Sequence, residues 1–225
     1  MLQWHREIER LKNSILSLSS LVEEQITKAM IALERRDIDL AKQTIKKDQE
    51  IDNMEIQIEE ECLKILALYQ PVADELRFIV SALKMNNDLE RIGDLAANIA
   101  KRAAFLSKRE KLDIADDLKD ISVKARNMVK KSLDALINKD VELARQVLIA
   151  DDEVDKLNKE MLKKLLEEIK HNPEKAKEYF SVQSVSKSLE RIADSATNIA
   201  EDVFYMCTGQ IIRHQGGEFT GEDTN

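Results

Sequence analysis

Apolar residues recur in steps of three and four along the start of the chain, at Ile8, Leu11, Ile15, Leu18 and Val22. This spacing places a continuous apolar stripe on one side of an α-helix, as in the seam of a helix bundle. The stripe continues for another three turns before a pair of arginines at 35–36 interrupts it. The pattern therefore predicts a first helix of more than thirty residues.

A capping residue and a proline divide the next seventy residues into two further helices. Asp37 is suited to cap a second helix that runs to about Leu68, because its carboxylate can accept a hydrogen bond from a free backbone amide. Pro71 ends that helix, and a third runs from about Asp74 to Leu106. Short connections make successive helices antiparallel, so an up-down-up bundle is predicted.

The same pattern then returns. Residues 89–100 (LERIGDLAANIA) match residues 189–200 (LERIADSATNIA) at nine of twelve positions. Segments 37–41 and 48–52 match 140–144 and 151–155 at an offset of 103, so Asp140 is predicted to cap a helix as Asp37 does. Helices are predicted near 113–138, 140–171 and 174–207. Such self-similarity indicates a duplicated unit. We predict an all-α fold of two tandem three-helix bundles with six long helices: a first repeat at 1–107, a second at 108–208, and a flexible C-terminal tail at 209–225.

Composition narrows the class of protein. The net charge of -8 disfavours nucleic-acid phosphates as partners. No uncharged run exceeds ten residues, whereas a membrane-spanning helix needs roughly 20 apolar residues, so contact with a membrane is expected only through partners. The N-terminus lacks the apolar core of a secretory signal, and the two cysteines lie far apart. These features predict a cytoplasmic protein.

The candidate chemistry lies in acidic residues one helical turn apart. Each repeat carries one such pair on its second helix and another on its third. Like charges at i and i+4 destabilise a helix, so the presence of such pairs in both repeats indicates that they have a function. The eight residues are Asp48 and Asp52 with Glu90 and Asp94 in the first repeat, and Asp151 and Asp155 with Glu190 and Asp194 in the second.

The hairpin geometry brings the two pairs of each repeat together. Asp52 lies nineteen residues before Pro71 and Glu90 nineteen after it, while Asp48 and Asp94 each lie twenty-three away. Residues equally far from the turn of a helical hairpin stand at the same height, here about 30 Å from the turn. Each repeat is therefore expected to gather four carboxylates into one patch.

Such a patch requires compensation. Two like charges 5 Å apart repel by about 3 kcal/mol at an effective dielectric constant near 20. A bound cation could neutralise four carboxylates, and oxygen ligands suit Mg²⁺, Mn²⁺ or iron. Asn98 and Asn198, one turn beyond each motif, are further candidate ligands. The alternative is a helical-bundle scaffold whose acidic patches are solvated or bind a partner.

Other chemistries find less support. A ferritin-like di-iron centre needs a Glu-x-x-His motif on two helices, and only Glu168 with His171 fits. No Ser-His-Asp or Cys-His arrangement and no glycine-rich phosphate loop can be recognised. We therefore expect a protein that is not an enzyme.

The motif at residues 88–94, DLERIGD, and its second copy at 189–194, LERIAD, resemble those of the PhoU family of phosphate-transport regulators. The resemblance extends over nearly the whole chain to about Cys207. It implies a cytosolic, dimeric protein that carries polynuclear metal clusters on the eight acidic residues named above. The resemblance leaves the metal open, and iron, Mg, Mn and Zn are all candidates. Ser188 and Ala193 replace Asp88 and Gly93 in the second motif, so the second site is expected to differ in metal count or affinity.

The resemblance also implies a function. Family members restrain the phosphate-specific ABC transporter, through its ATPase, and the phosphate-responsive sensor histidine kinase when phosphate is plentiful. We therefore expect a metal-binding negative regulator of phosphate uptake and phosphate-starvation signalling.

Overall fold

Six long α-helices make up the chain in a computed structural model that describes residues 2–112 and 115–212. No β-strand occurs in those two ranges. The helices are α1 (Leu2–Arg35), α2 (Ile38–Tyr69), α3 (Ala73–Leu106), α4 (Ala115–Asn138), α5 (Val141–His171) and α6 (Ala176–Thr208), with a short 3₁₀ turn at Pro173–Lys175 before α6. The predicted all-α fold is confirmed. The predicted start of α4 at Asp113 and the tail from residue 213 onward lie outside the described residues.

Matching caps start the second helix of each repeat. The Oδ1 atoms of Asp37 and Asp140 accept hydrogen bonds of 2.9 Å from the backbone amides of Leu40 and Leu143. The residue before each cap adopts a left-handed backbone conformation, with φ of 58° at position 36 and 52° at position 139. Both predicted caps are therefore confirmed, and the duplicated sequence produces duplicated turn geometry.

The two bundles join through their third helices. α3 and α6 make the most extensive contact between any two helices of the described chain, and a smaller contact joins α1 to α4. Asn198 donates to Asp88 at 3.1 Å, while Arg102 donates to Ser184 at 3.2 Å. Because the partner number falls as the number on α3 rises, the two helices run antiparallel. The pairing puts α3 and α6 at the centre of the molecule.

The outer helices α2 and α5 contact only helices of their own repeat in the described structure. Each lies against α3 or α6 along its apolar side, through buried residues such as Ile51 and Val154. No helix in the described ranges is both long enough and apolar enough to span a bilayer. This arrangement leaves the face between α2 and α3, and the one between α5 and α6, as the places where acidic side chains can meet.

Candidate metal centre

The first cluster lies between α2 and α3. Burial, followed by the charges of Asp94 and Asp52, raises the pKa of Asp48 to about 6. Burial and the charges of Asp94, Asp52, Glu55 and Asp48 raise the pKa of Glu90 as well. Carboxylates influence one another in this way only over short distances. These side chains from two helices therefore form one patch, at the level expected from their equal distances from Pro71.

α1 adds a group that the sequence analysis did not identify. The buried Gln25 amide donates from Nε2 to Asp48 Oδ1 at 2.9 Å and, over 3.4 Å, to the carbonyl oxygen of Gly93. It therefore ties one carboxylate of the cluster to the backbone of α3. A signal was present, because Gln25 is an uncharged polar residue within the apolar stripe of α1, beside Val22 and Ile26.

Gly93 lets the two acidic helices approach closely. A Cβ atom at this position would lie 2.9 Å from Ile51 Cδ1 and 3.6 Å from Asp48 Oδ1. The first distance is too short for a carbon–carbon contact, so a side chain at this position would force Ile51 to shift. The residue at the same point of the second repeat is Ala193, and that helix pair therefore accommodates a methyl group.

The second cluster lies between α5 and α6 and is more buried. Burial and then the charges of Asp194 and Asp155 raise the pKa of Asp151 to about 6. Glu190 is only 8% exposed and its counterpart Glu90 is half-buried, while Asp194 is half-buried and its counterpart Asp94 is exposed. Burial and the charge of Glu190 also raise the pKa of Asp194, against the opposing effects of Lys187 and Arg91. The four acidic residues predicted for this repeat thus also come together.

Two buried oxygens of the second cluster have no hydrogen-bond partner among the described residues: Asp151 Oδ1 and Glu190 Oε2. Asp151 corresponds to Asp48, whose Oδ1 accepts from Gln25, but the residue 103 positions after Gln25 is Met128, which has no amide. A buried carboxylate oxygen without a partner costs about 1–3 kcal/mol or more. These two oxygens are the strongest structural indication that the patch accommodates a cation.

Lysines compensate the second cluster in part. Lys187 Nζ lies 2.5 Å from Glu190 Oε1, and Lys159 Nζ lies 2.9 Å from Asp155 Oδ2. The corresponding residues of the first repeat are Asn87 and Ile56, which carry no charge. The spacings of three and four residues between lysine and acid are the sequence signal from which these ion pairs can be predicted. The two clusters therefore share an acidic framework and differ in the charges around it.

The clusters fit a hard cation in chemistry but are not preassembled around one. The eight predicted acidic ligands all offer carboxylate oxygens, the ligand type that Mg²⁺, Mn²⁺ and iron accept. Within residues 2–112 and 115–212, no three His, Cys, Asp or Glu side chains are already arranged to hold a metal ion. Metal binding thus requires side-chain movement toward the ion.

The two candidate asparagines are engaged elsewhere. Asn98 Oδ1 accepts a hydrogen bond of 3.2 Å from Lys101, and Asn198 Nδ2 donates to Asp88 of the first repeat. Both side chains are exposed. The structure therefore places the eight acidic residues in the two patches and gives these amides other partners.

Comparisons of the chain with a family model, with curated proteins and with solved structures all find PhoU proteins. The family model described as "PhoU domain" matches the chain twice, at residues 15–103 and 118–203. A "Phosphate-specific transport system accessory protein PhoU homolog" of Pseudomonas putida is 39% identical over 215 residues, covering 95% of this chain and 84% of the relative. The crystal structure of PhoU from Pseudomonas aeruginosa matches with a TM-score of 0.90 and 37% identity, covering 92% of this chain and 100% of that one.

A second solved structure, described as the "phosphate transport system regulatory protein PhoU" from Streptococcus pneumoniae, has a TM-score of 0.85 and 29% identity. The match covers 92% of this chain and 98% of the Streptococcus pneumoniae chain. Similarity thus extends over both repeats and over nearly the full length of the relatives.

The raised pKa values predict how the stability of metal-free protein depends on pH. Between pH 3.8 and about 6, folded Asp48 and Asp151 bind more protons than they do unfolded. Stability must therefore fall as pH rises through this window. We expect the free energy of unfolding of chelator-treated protein to be on the order of 1 kcal/mol higher at pH 5 than at pH 7.5, after allowance for solvent screening.

The variant Asp48→Asn/Asp151→Asn should lose most of this pH dependence and should be the more stable protein at pH 7.5. Urea denaturation at both pH values measures the effect. A matched control is Glu50→Gln/Glu60→Gln, which removes two exposed charges from α2. Equal pH dependence in the aspartate variant and the wild type would show that these carboxylates are ordinarily solvated.

Proposed function

The chain belongs to the PhoU family, and on this premise we propose that it is an accessory regulator of phosphate transport that binds metal ions at its two carboxylate clusters. The observation that carries the metal proposal is the pair of buried, unpartnered oxygens on Asp151 and Glu190. Support for the role in phosphate transport comes from the relatives, which are named as accessory proteins of the phosphate-specific transport system.

The proposed ligands are the eight acidic residues predicted from the sequence. In the first repeat, Asp48 and Asp52 of α2 face Glu90 and Asp94 of α3. In the second, the ligands are Asp151, Asp155, Glu190 and Asp194. A bound cation would supply the positive charge that the first cluster lacks and would replace Lys187 and Lys159 at the second. A set made only of oxygen donors favours iron, Mg²⁺ or Mn²⁺ over Zn²⁺, which prefers nitrogen and sulfur.

The proposed mode of action is negative regulation in the cytoplasm. We propose that the protein restrains the ATPase of the phosphate ABC transporter and the phosphate sensor histidine kinase when phosphate is plentiful, and that it has no catalytic activity. It would reach the membrane only through these partners. Exposed apolar side chains on the outer helices, including Leu63 (54%) on α2 and Ile149 (66%) on α5, provide surfaces for a partner or for a homodimer.

The alternative is a helical scaffold in which the carboxylate clusters are solvated surface. The lysine pairs of the second cluster favour this alternative, because they already neutralise part of its charge. The first cluster has no such pair among the ion pairs of the described residues, so the two proposals differ most clearly there.

Metal content per chain distinguishes them. We expect the variant Glu90→Gln/Asp94→Asn to lose the metal of the first site and to keep that of the second, since each repeat supplies its own ligands. The variant Glu190→Gln/Asp194→Asn should show the reverse. The measurement is elemental analysis of purified protein, tested for iron, Mn, Mg and Zn, with Glu50→Gln/Glu60→Gln as a control of equal charge. If both cluster variants retain the wild-type metal load, the scaffold alternative is correct.

Regulation is tested in the cell of origin. Deletion of the gene should raise phosphate uptake and the expression of phosphate-starvation genes in phosphate-rich medium, because the proposed restraint is lost. Quantitative transcript analysis and uptake of labelled phosphate measure both effects, and complementation with the wild-type gene is the control. Unchanged uptake and transcript levels in the deletion strain would reject the regulatory role.

A further inference from the structure

A groove between α3 and α6 has a charge unlike that of the rest of the molecule. Four cations line it, Lys101 and Arg102 from α3 with Lys187 and Arg191 from α6, and no acidic residue does. Its volume is about 630 Å³, within the range of small-molecule sites. The chain as a whole carries a net charge of -8, so four positive charges facing one cleft are a local exception.

The duplication supplies an internal comparison for this groove. α3 and α6 are copies of one helix and pack antiparallel, so the pair has a second face that corresponds to the groove. The residues of that face are found by adding 100 to each α3 number and subtracting 100 from each α6 number. The counterparts of the four cations on this second face are Glu201, Asp202, Asn87 and Arg91. Their net charge is -1, whereas the four residues of the groove carry a charge of +4. Ordinary solvation of helix surfaces would not concentrate the cations on one copy. The asymmetry therefore points to a ligand for one groove.

The cations are disposed to meet an anion inside the groove. Arg102 reaches across from α3 and donates from Nε to Ser184 Oγ on α6 at 3.2 Å. Arg191 has no hydrogen-bond or ion-pair partner among the described residues. Guanidinium groups bind phosphate oxygens through paired N–H donors, which is a geometry that lysine cannot supply. The two arginines are thus the main candidates for direct contact with a ligand.

The two lysines connect the groove to the carboxylate clusters. Lys187 also contacts Glu190, as described above, and Lys101 is among the charges that act on Asp48 of the first cluster. The groove therefore lies beside both patches and shares one cation with each.

We propose that this groove, which nothing in the metal proposal requires, is a binding site for a phosphoryl group. Two sources share this chemistry: inorganic phosphate and the phosphates of a nucleotide. Phe180, which is 64% exposed at the edge of the groove, distinguishes them, because an aromatic ring there can stack on a base and has no comparable contact with inorganic phosphate.

The site is tested by calorimetric titration of purified protein with inorganic phosphate at low ionic strength. We expect saturable binding at one site per chain. The variant Arg102→Gln/Arg191→Gln should weaken binding about tenfold or more, because it removes two charged donors. The matched control is Arg35→Gln/Arg126→Gln, which takes the same charge from two exposed positions outside both the groove and the carboxylate clusters. Binding to this control should stay within about twofold of wild type.

The titrations are carried out both with chelator and with excess Mg²⁺, so that failure of the metal proposal does not affect the result. A parallel titration with ATP identifies the source: if a nucleotide is the ligand, Phe180→Ala weakens ATP binding and leaves phosphate binding unchanged. If wild-type protein binds neither phosphate nor ATP in either condition, the inference is wrong. It is also wrong if the groove and control variants are weakened equally.

Discussion

Repulsion between carboxylates held close together is the constraint on which the interpretation of this protein depends. The apolar seams of the bundles fix the positions of α2 against α3 and of α5 against α6, so the helices cannot separate to relieve the repulsion without loss of packing. Burial adds to the repulsion, and the pKa values of Asp48 and Asp151 rise to about 6. Under the proposed function, a bound cation would offset this repulsion and stabilise the folded state.

The two repeats differ in the groups that compensate the repulsion between their carboxylates. In the first, the Gln25 amide satisfies one carboxylate oxygen and no lysine stands at the positions of Lys187 or Lys159. In the second, the amide is replaced by Met128, two oxygens are left without partners, and two lysines supply charge. The duplicated backbone has thus been kept while the surroundings of the acids diverged. The expectation that the two sites differ in metal count or affinity stays a prediction.

Sequence periodicity was sufficient to predict the helices, the caps at Asp37 and Asp140, and the level of the acids on each hairpin, because all of these follow from local spacing and from counting residues from a proline. Periodicity could not predict which side chains meet between helices that are not joined by a short turn, because packing sets how those helices are rotated against each other. Gln25 lies on α1, and no count from the turn between α2 and α3 places it at Asp48. The basic groove was missed for the same reason, since it forms only where α3 meets α6 of the other repeat.

The central claim is that each repeat binds cations with its own four carboxylates. Anomalous X-ray diffraction from crystals grown with Mn²⁺ tests it most directly, because it locates the ion without reference to function. The account predicts one anomalous peak or cluster of peaks between α2 and α3, within coordination distance of Glu90 and Asp94, and another between α5 and α6 beside Glu190 and Asp194. Crystals at millimolar Mn²⁺ that show no anomalous density at either patch would contradict it.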